Sequence, residues 1–373
     1  MVRCARPETT ENVNELARIL DRAVNHSTFL TQFIRRMPKV ELHVHLEGSI
    51  QPAMLLQLAQ RNDVSLPADD VVGLQRWYQF TDFKHFIEIY LTISSCICTP
   101  EDIELVARDF LRNQAAQNIR YSEVTFTPYT HFGTNRRLPF DEQFDALSRA
   151  RAWAAREFDV HCGWVFDVVR NVRPVEHALI VAEWAISGKA QGVVGFGLGG
   201  LEAGHPPELF KEAFELARTA GLAAVPHAGE IAGAESIWGA LEVLHAQRIG
   251  HGVRCLEDAR LVEYLRAHQI PLEVCPTSNV CLGVAPSFAA HPLPRLLAEG
   301  LYVTLNSDDP PMFNTTLTNE YLRAAEAFGF DAERLETLAL NAVHASLLPE
   351  AERQQMEQAF RQIFVALRAE LDV

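Results

Sequence analysis

Long apolar runs are missing from this 373-residue chain: no stretch approaches the ~20 consecutive apolar residues that a membrane-spanning helix requires. The opening residues, MVRCARPETTENVNEL, also lack the apolar core of a secretory signal. A cytoplasmic protein with no membrane partner is therefore expected. An excess of basic residues is missing too, since 33 Lys plus Arg stand against 48 Asp plus Glu for a formal net charge of −15. Such a surface repels a phosphate backbone, so nucleic acid is excluded as an expected partner. Cysteine is sparse and odd in number: seven, at positions 4, 96, 98, 162, 255, 275 and 281, with no CxxC pair. That excludes a disulfide framework or a zinc ribbon and leaves the thiols as small, mostly buried hydrophobes. The sequon Asn25-His26-Ser27 carries no weight without a secretory signal. There is no internal repeat, low-complexity tract or long Gly/Ser/Pro linker to mark a domain boundary.

What the chain does have is alternation, on an ordinary globular composition of 48% hydrophobic and 22% charged residues. Strand-like runs ending in polar or glycine residues recur at VELHVHLEG (40–48), RYSEVTFTP (120–128), VHCGWVFDVVR (160–170) and VVGFGLGG (193–200). Four more follow: AAVPHAGE (223–230), RIGHG (248–252), PLEVCPTSN (271–279) and LYVTLNSDDP (301–310). Between them lie amphipathic helical patterns such as PPELFKEAFELARTAG and DARLVEYLRAHQ, with apolar residues three and four apart. Eight strands alternating with helices predict an α/β fold, a (β/α)8 TIM barrel. The competing doubly wound sheet would want a GxGxxG after its first strand, and none is there. The first connection, 49–119, is long enough for several inserted helices, which in such barrels cover the site. Residues 12–37 predict one or two helices before the barrel and 318–372 two or three after it.

In HVHLEG, His43 and His45 alternate along a strand and so point to one side, with Val44 and Leu46 on the other. Alone, such a pair is as readily an exposed polar face. Further chemistry sits at the ends of later strands: His227 and Glu230 in HAGE, His251 in GHG, Asp308 and Asp309 in NSDDP. In a barrel these ends converge on one mouth. Three imidazoles and a carboxylate make a nitrogen and oxygen donor set suited to Zn2+, with one position open for water. Bound water ionises near pH ~7 in well-known zinc sites, which points to hydrolysis. A two-metal site would want a carboxylated lysine at a middle strand, and VVGFGLGG and AAVPHAGE hold none, so one zinc per chain is expected. Glu230 and His251 are then the proton carriers that hydrolysis needs. The other ten histidines, among them His85, His131, His161, His177 and His245, read as satisfied or solvated.

HVHLEG, HAGE, IGHG, CPTSN and NSDDP, in this order on eight strands, resemble the adenosine/adenine deaminase family of the amidohydrolase superfamily. The resemblance covers roughly 38–350 and implies one metal-dependent hydrolase domain across 1–373. Within it, 1–37 would be a helical extension, 38–350 the deaminase barrel and 351–373 a C-terminal helix. It implies that His43, His45, His227 and Asp308 bind zinc, and that Glu230 protonates a purine N1. His251 would orient or deprotonate the water, Asp309 would hold N7, and the backbone amide of Gly200 would meet N3. Hydrolytic loss of ammonia from C6 would leave a 6-oxopurine, which requires Glu230 to carry a proton at neutral pH.

Two departures bear on the substrate. Many members carry HLDG, whose acid meets the ribose 5'-hydroxyl; here Glu47 is one methylene longer. The usual DLAGDE reads GLGGLE, with Gly197 and Leu201 in place of two aspartates. IGHG, CPTSN and SDDPPMF resemble the adenosine branch, so adenosine or 2'-deoxyadenosine is the first expectation. Adenine comes second, then a substituted adenosine such as 6-aminodeoxyfutalosine or an N6-modified purine. Phe83 and Phe86 resemble an apolar gate over the nucleoside, or else plain helix core.

Overall fold

The computed structural model describes residues 28–133 and 137–371. The described chain opens in a helix, α1 (residues 28–36), and enters β1 (Lys39–His45). Four helices intervene before the second strand: α2 (Pro52–Asn62), α3 (Val71–Trp77), α4 (Phe83–Ser95) and α5 (Pro100–Ala116). Then come β2 (Ile119–Phe126), α6 (Pro128–Gly133), α7 (Phe140–Phe158), β3 (His161–Val169), α8 (His177–Ser187) and β4 (Val193–Gly199). After α9 (Lys211–Thr219) the fifth stave arrives in two pieces, β5 (Ala223–Ala224) and β6 (His227–Ala228). The remaining staves are β7 (Ile249–His251), β8 (Leu272–Val274) and β9 (Val303–Leu305), separated by α10 (Ala234–Glu242), α11 (Ala259–His268), α12 (Pro276–Cys281) and α13 (Leu293–Ala298). Three helices close the described chain: α14 (Leu317–Phe328), α15 (Ala332–Ala345) and α16 (Glu350–Leu371).

Every strand pair is parallel, in two arcs ordered β1-β2-β3-β4-β5 and β6-β7-β8-β9. One seam lies within the fifth stave, where Pro226 has no N–H to give a ladder, yet its carbonyl still accepts from Gly250 N at 3.0 Å. At the other seam Val44 bridges Asp308 in parallel. There His45 N donates to the Asp308 carbonyl at 3.0 Å and Asp308 N to the His43 carbonyl at 3.1 Å. The predicted eight-stave order is the observed one. The single strand expected over 223–230 is replaced by the two short pieces either side of Val225 and Pro226.

All seven residues of β1 are buried, as a strand covered on both faces requires. One apolar cluster joins Val124, Phe126, Trp164, Phe166 and Phe196 of β2 to β4 to the helices around them. A second joins Ile249, Leu272, Val274, Val303 and Leu305 to α14, α15 and α16. Each such side chain contributes roughly 1.5–3 kcal/mol by leaving water. The inserted helices are tied in by polar groups as well. Thr99 caps α5 in a capping box with Asp102, and the same buried Asp102 accepts from Asn62 on α2 at 2.8 Å and faces Arg61 at 2.9 Å.

Of the expected N-terminal helices, positions 12–27 fall outside the described residues, as do Cys4 and the sequon. In α1, Phe33 and Ile34 are buried, with the Phe33 ring 6.2 Å from that of Phe364 on α16. Five described cysteines are buried as expected, and Cys281 is exposed. Among the described residues no helix is long and apolar enough to cross a membrane.

Candidate active site

The strand ends of both arcs converge on a cavity of about 250 Å3. Its floor holds the buried His45, His251, Asp308 and Asp309 and the half-buried His227 and Glu230. Its walls come from α4 (Phe83, Phe86, Ile87, Tyr90, Leu91) and from the ends of β2 and β3 (Thr127, Thr130, Asp167, Val169, Asn171, Val172), with Gly200 and Leu282 between.

Five residues crowd one point of the floor. His45 Nε2 lies 3.2 Å from His227 Nε2 and 3.3 Å from Asp308 Oδ1, and His43 Nε2 lies 3.6 Å from the same oxygen. The set His43, His227, His251 and Asp308 offers one donor atom each, all within 4.8 Å of one another. Sequence reading placed His45 in the metal set and His251 beside it; the geometry brings both within reach. A divalent cation fits here on an independent observation. His43 Nδ1 meets Glu273 Oε2 at 2.9 Å, so it carries a proton, and the buried Nε2 is left with no hydrogen-bond partner among the described residues, a position that a cation or a second proton can take. Ser278 Oγ donates to Asp308 Oδ2 at 2.7 Å, leaving Oδ1 to face the imidazoles.

The backbone is bent to deliver these groups. His251 and Asp308 both sit in the left-handed region, at φ 60° and 65°, a conformation that non-glycine residues hold only where the surroundings insist on it. Gly48 of HVHLEG lies against Asp309, where a Cβ would come within 1.6 Å of Oδ1. Gly200, at φ 86°, has Asn171 Oδ1 where its Cβ would be, at 2.8 Å.

Electrostatics separates the two acids at the floor. Burial, then the charges of Asp308 and Glu202, push Glu230 up to about 8, so it is a protonated acid at neutral pH. Burial also pushes Asp308 up, but the adjacent imidazoles of His43 and His45 outweigh it and hold this carboxylate well below the usual range. Asp309 is driven well up by burial and by Asp308. For His43, burial lowers the value, yet Asp308 and Glu273 carry it to about 10. Protons and a cation thus compete for the same Nε2. His251 is pushed down to about 3 by burial and then by His43, so its ring is neutral.

Glu47 is not where the sequence reading put it. Counted among the candidate substrate contacts, with its reach to a ribose or to another group left open, it is not among the residues that line the cavity. Its longer arm reaches under α6, where Oε1 accepts from Thr127 N and from His131 Nε2, each at 3.0 Å. His131, read as merely satisfied, is that partner. The wall in this direction is Asp167 instead, which accepts from Thr127 Oγ1 at 2.6 Å and is raised by burial to about 6. Phe83 and Phe86 both line the cavity, and Phe86 also stacks on Phe313 at 5.6 Å, so gate and helix core are one residue there.

Several contributors escaped the sequence reading. Glu273 holds His43 and is itself bound by Arg248 Nε at 2.5 Å. Its signal was a carboxylate between two apolar neighbours, Leu272 and Val274, in a barrel strand. Glu202, the last residue of GLGGLE, is buried and accepts four backbone N–H groups: Gly229 at 2.6 Å, Glu230 at 3.1 Å, and Ile231 and Ala232 at 2.8 Å each. It thereby sets the loop that carries Glu230. No local pattern announces that role.

Comparison with known proteins identifies the family. The family model described as Adenosine deaminase matches residues 38–362. An aminodeoxyfutalosine deaminase of Streptomyces avermitilis is 42% identical over 328 residues, 86% of this chain and 90% of that protein. An adenine deaminase of Cupriavidus necator is 40% identical over 320 residues, again 86% and 90%. Among solved structures, an adenine deaminase from Arthrobacter aurescens aligns with a TM-score of 0.83 at 33% identity, covering 87% of this chain and 98% of that one. With its strand order, its converging ligands and its protonated acid, the chain belongs to the adenosine deaminase family and is a hydrolytic deaminase.

Proposed function

We propose that the chain is a zinc-dependent deaminase of 6-aminopurines whose preferred substrate is a nucleoside extended at its 5' position, of the aminodeoxyfutalosine kind. Three imidazoles and one carboxylate are the donor set of catalytic zinc sites, which supports zinc over harder cations. His43, His45, His227 and Asp308 would hold it, and a bound ion would lower the pKa of water toward neutrality. The chain's own groups supply the rest. Glu230, protonated at neutral pH, gives its proton to ring N1. That withdraws electrons from C6, the water oxygen adds there, and as the C–N bond to the amino group breaks the water's two protons pass on, one to the leaving amino group and one back to Glu230, while N1 keeps the proton it took. Ammonia leaves and a 6-oxopurine remains, so that one water is consumed for each ammonia released.

The observation that carries the substrate is the outer half of the cavity. Beyond the polar floor, Phe83, Ile87, Leu91, Val172 and Leu282 form an apolar rim that continues to solvent, where Leu91 is 55% exposed. A bare adenine seated on Glu230 and Asp309 would leave that rim unused, whereas a 5'-extended nucleoside covers it. Among the described lining residues there is neither Lys nor Arg, which speaks against a 5'-phosphate. The names of the relatives also support this reading and the adenine reading over plain adenosine. Adenine keeps one specific observation in its favour: Asp167 could accept a hydrogen bond from N9–H of a free base.

The test is a comparison of kcat/KM for aminodeoxyfutalosine, adenosine and adenine on the zinc-loaded protein. Aminodeoxyfutalosine is expected first, with adenine and then adenosine behind it, and a preference for adenine would overturn the 5'-extended assignment.

A further inference from the structure

We infer that Asn279 and His291 are positioning residues that lock His251 in the tautomer carrying its proton on Nε2, so that this ring donates a hydrogen bond at the reaction centre. A chain of three contacts carries the argument. Leu293 N lies 3.0 Å from His291 Nδ1, His291 Nε2 lies 3.2 Å from Asn279 Oδ1, and Asn279 Nδ2 lies 3.3 Å from His251 Nδ1. A backbone N–H can only donate. His291 Nδ1 must therefore accept, and a neutral His291 has its one proton on Nε2. That proton goes to an oxygen, which sets the Asn279 amide with Oδ1 toward His291 and its NH2 toward His251. His251 Nδ1 must accept in turn, and the ring's remaining proton sits on Nε2.

The polarity of one backbone amide thus runs through two side chains into the site. Nothing along it can flip alone without pointing two donors, or two acceptors, at one another. His291, Asn279 and His251 are all buried, so water does not compete for the links. Burial also lowers His291 to about 4, keeping it neutral.

His251 Nε2 faces Glu230 Oε1 at 3.6 Å and Asp308 Oδ2 at 3.9 Å. Both are too long for a direct hydrogen bond and suited to bridging by an oxygen between them. With a proton on that nitrogen, His251 cannot ligate a cation through it. This assigns the third imidazole of the metal set to His45, and the role of His251 becomes orienting the attacking oxygen, not removing its proton. The tautomer stands on hydrogen bonding alone; its effect on turnover rests on the deaminase reading above.

The test is the nitrogen spectrum of histidine-labelled, zinc-loaded protein above pH about 8, beyond the ordinary imidazole range. The His251 signals are identified by their loss in His251→Ala. In the wild type, Nε2 is expected protonated and Nδ1 not. Asn279→Asp replaces the amide donor by a carboxylate that only accepts, so Nδ1 of His251 should gain a proton. In that variant kcat should fall ~100-fold, with KM changed less than about threefold. A wild-type spectrum with the proton on Nδ1, or an Asn279→Asp protein with the Nδ1 signal unmoved, would overturn the inference. Should Asn279→Asp fail to fold, the wild-type spectrum still decides. If the spectra come out as expected while no purine is deaminated, the proposed function fails and the lock stands.

Discussion

The two arcs of the barrel are built differently. In the first, β1 to β4 run seven to nine residues, buried along most of their length, and carry an apolar wall and the inserted helices. In the second, β6 to β9 are two or three residues long and end at once in reactive groups. Long strands make a rigid frame for recognition. Short strands let the chain turn sharply, as the left-handed residues His251, Gly252 and Asp308 show, and place side chains that no regular strand could aim. On the proposed function, the first arc would read the substrate and the second perform the chemistry, with β1 giving His43 and His45 across the seam.

Variants can break this division. Glu230→Gln should lower kcat ~1,000-fold with metal content unchanged, as ammonia release and metal analysis would show. Parallel loss of metal would mean that Glu230 is a ligand and not the acid. Glu273→Gln should weaken metal binding by about 10–100-fold, because the His43 ring loses its carboxylate partner, and competition with a chelator would measure it. Phe86→Ala in the first arc should act in the opposite sense, raising KM about tenfold and leaving kcat within about threefold. An equal fall in kcat would show that α4 belongs to the chemistry.

Acidity sharpens the comparison further. If Glu230 is the proposed acid it works as the protonated form, and its value is raised to about 8, so kcat/KM should hold through neutrality and decline as pH rises past about 8. Metal affinity should move the other way, growing as pH rises, because His43 must lose its proton to bind and holds it up to about 10. Titrating the two separately, by initial rates at saturating zinc and by metal binding without substrate, would distinguish them. The smallest expected effect is at the distal edge: breaking the exposed Arg36–Glu370 pair with Glu370→Gln should leave the melting temperature unchanged within the error of a thermal scan.

Much of this was legible in the residues. The period of two in HVH and the polar ends of eight apolar runs carried the barrel and the floor of the site, because strand alternation and metal donors both leave local marks. Glu47 was misplaced because its partners, Thr127 and His131, lie on α6 and just before it, about 80 positions later. Nothing local to HLEG tells a reader that a longer acid will fold back under another loop. Glu202 was invisible for a related reason: its role is to accept N–H groups of a different loop, and backbone donors have no sequence identity. The break at Pro226 was readable in hindsight, since a residue with no N–H cannot continue a central ladder.

The seam between β1 and the end of β9 also says something about how the chain is held shut. Only a single residue pair, Val44 with Asp308, forms a bridge there, supported by Leu42 N donating to Asn306 Oδ1 264 positions along the chain. A cation shared by His43 and Asp308 would span that same gap and so act as a cross-link closing a loop of more than two-thirds of the protein. Closing so long a loop carries a large entropic cost in the unfolded chain, and a clip at its ends offsets the most. The ion that serves the reaction would then be a fastener of the barrel, and stripping it should loosen the seam before any helix unwinds.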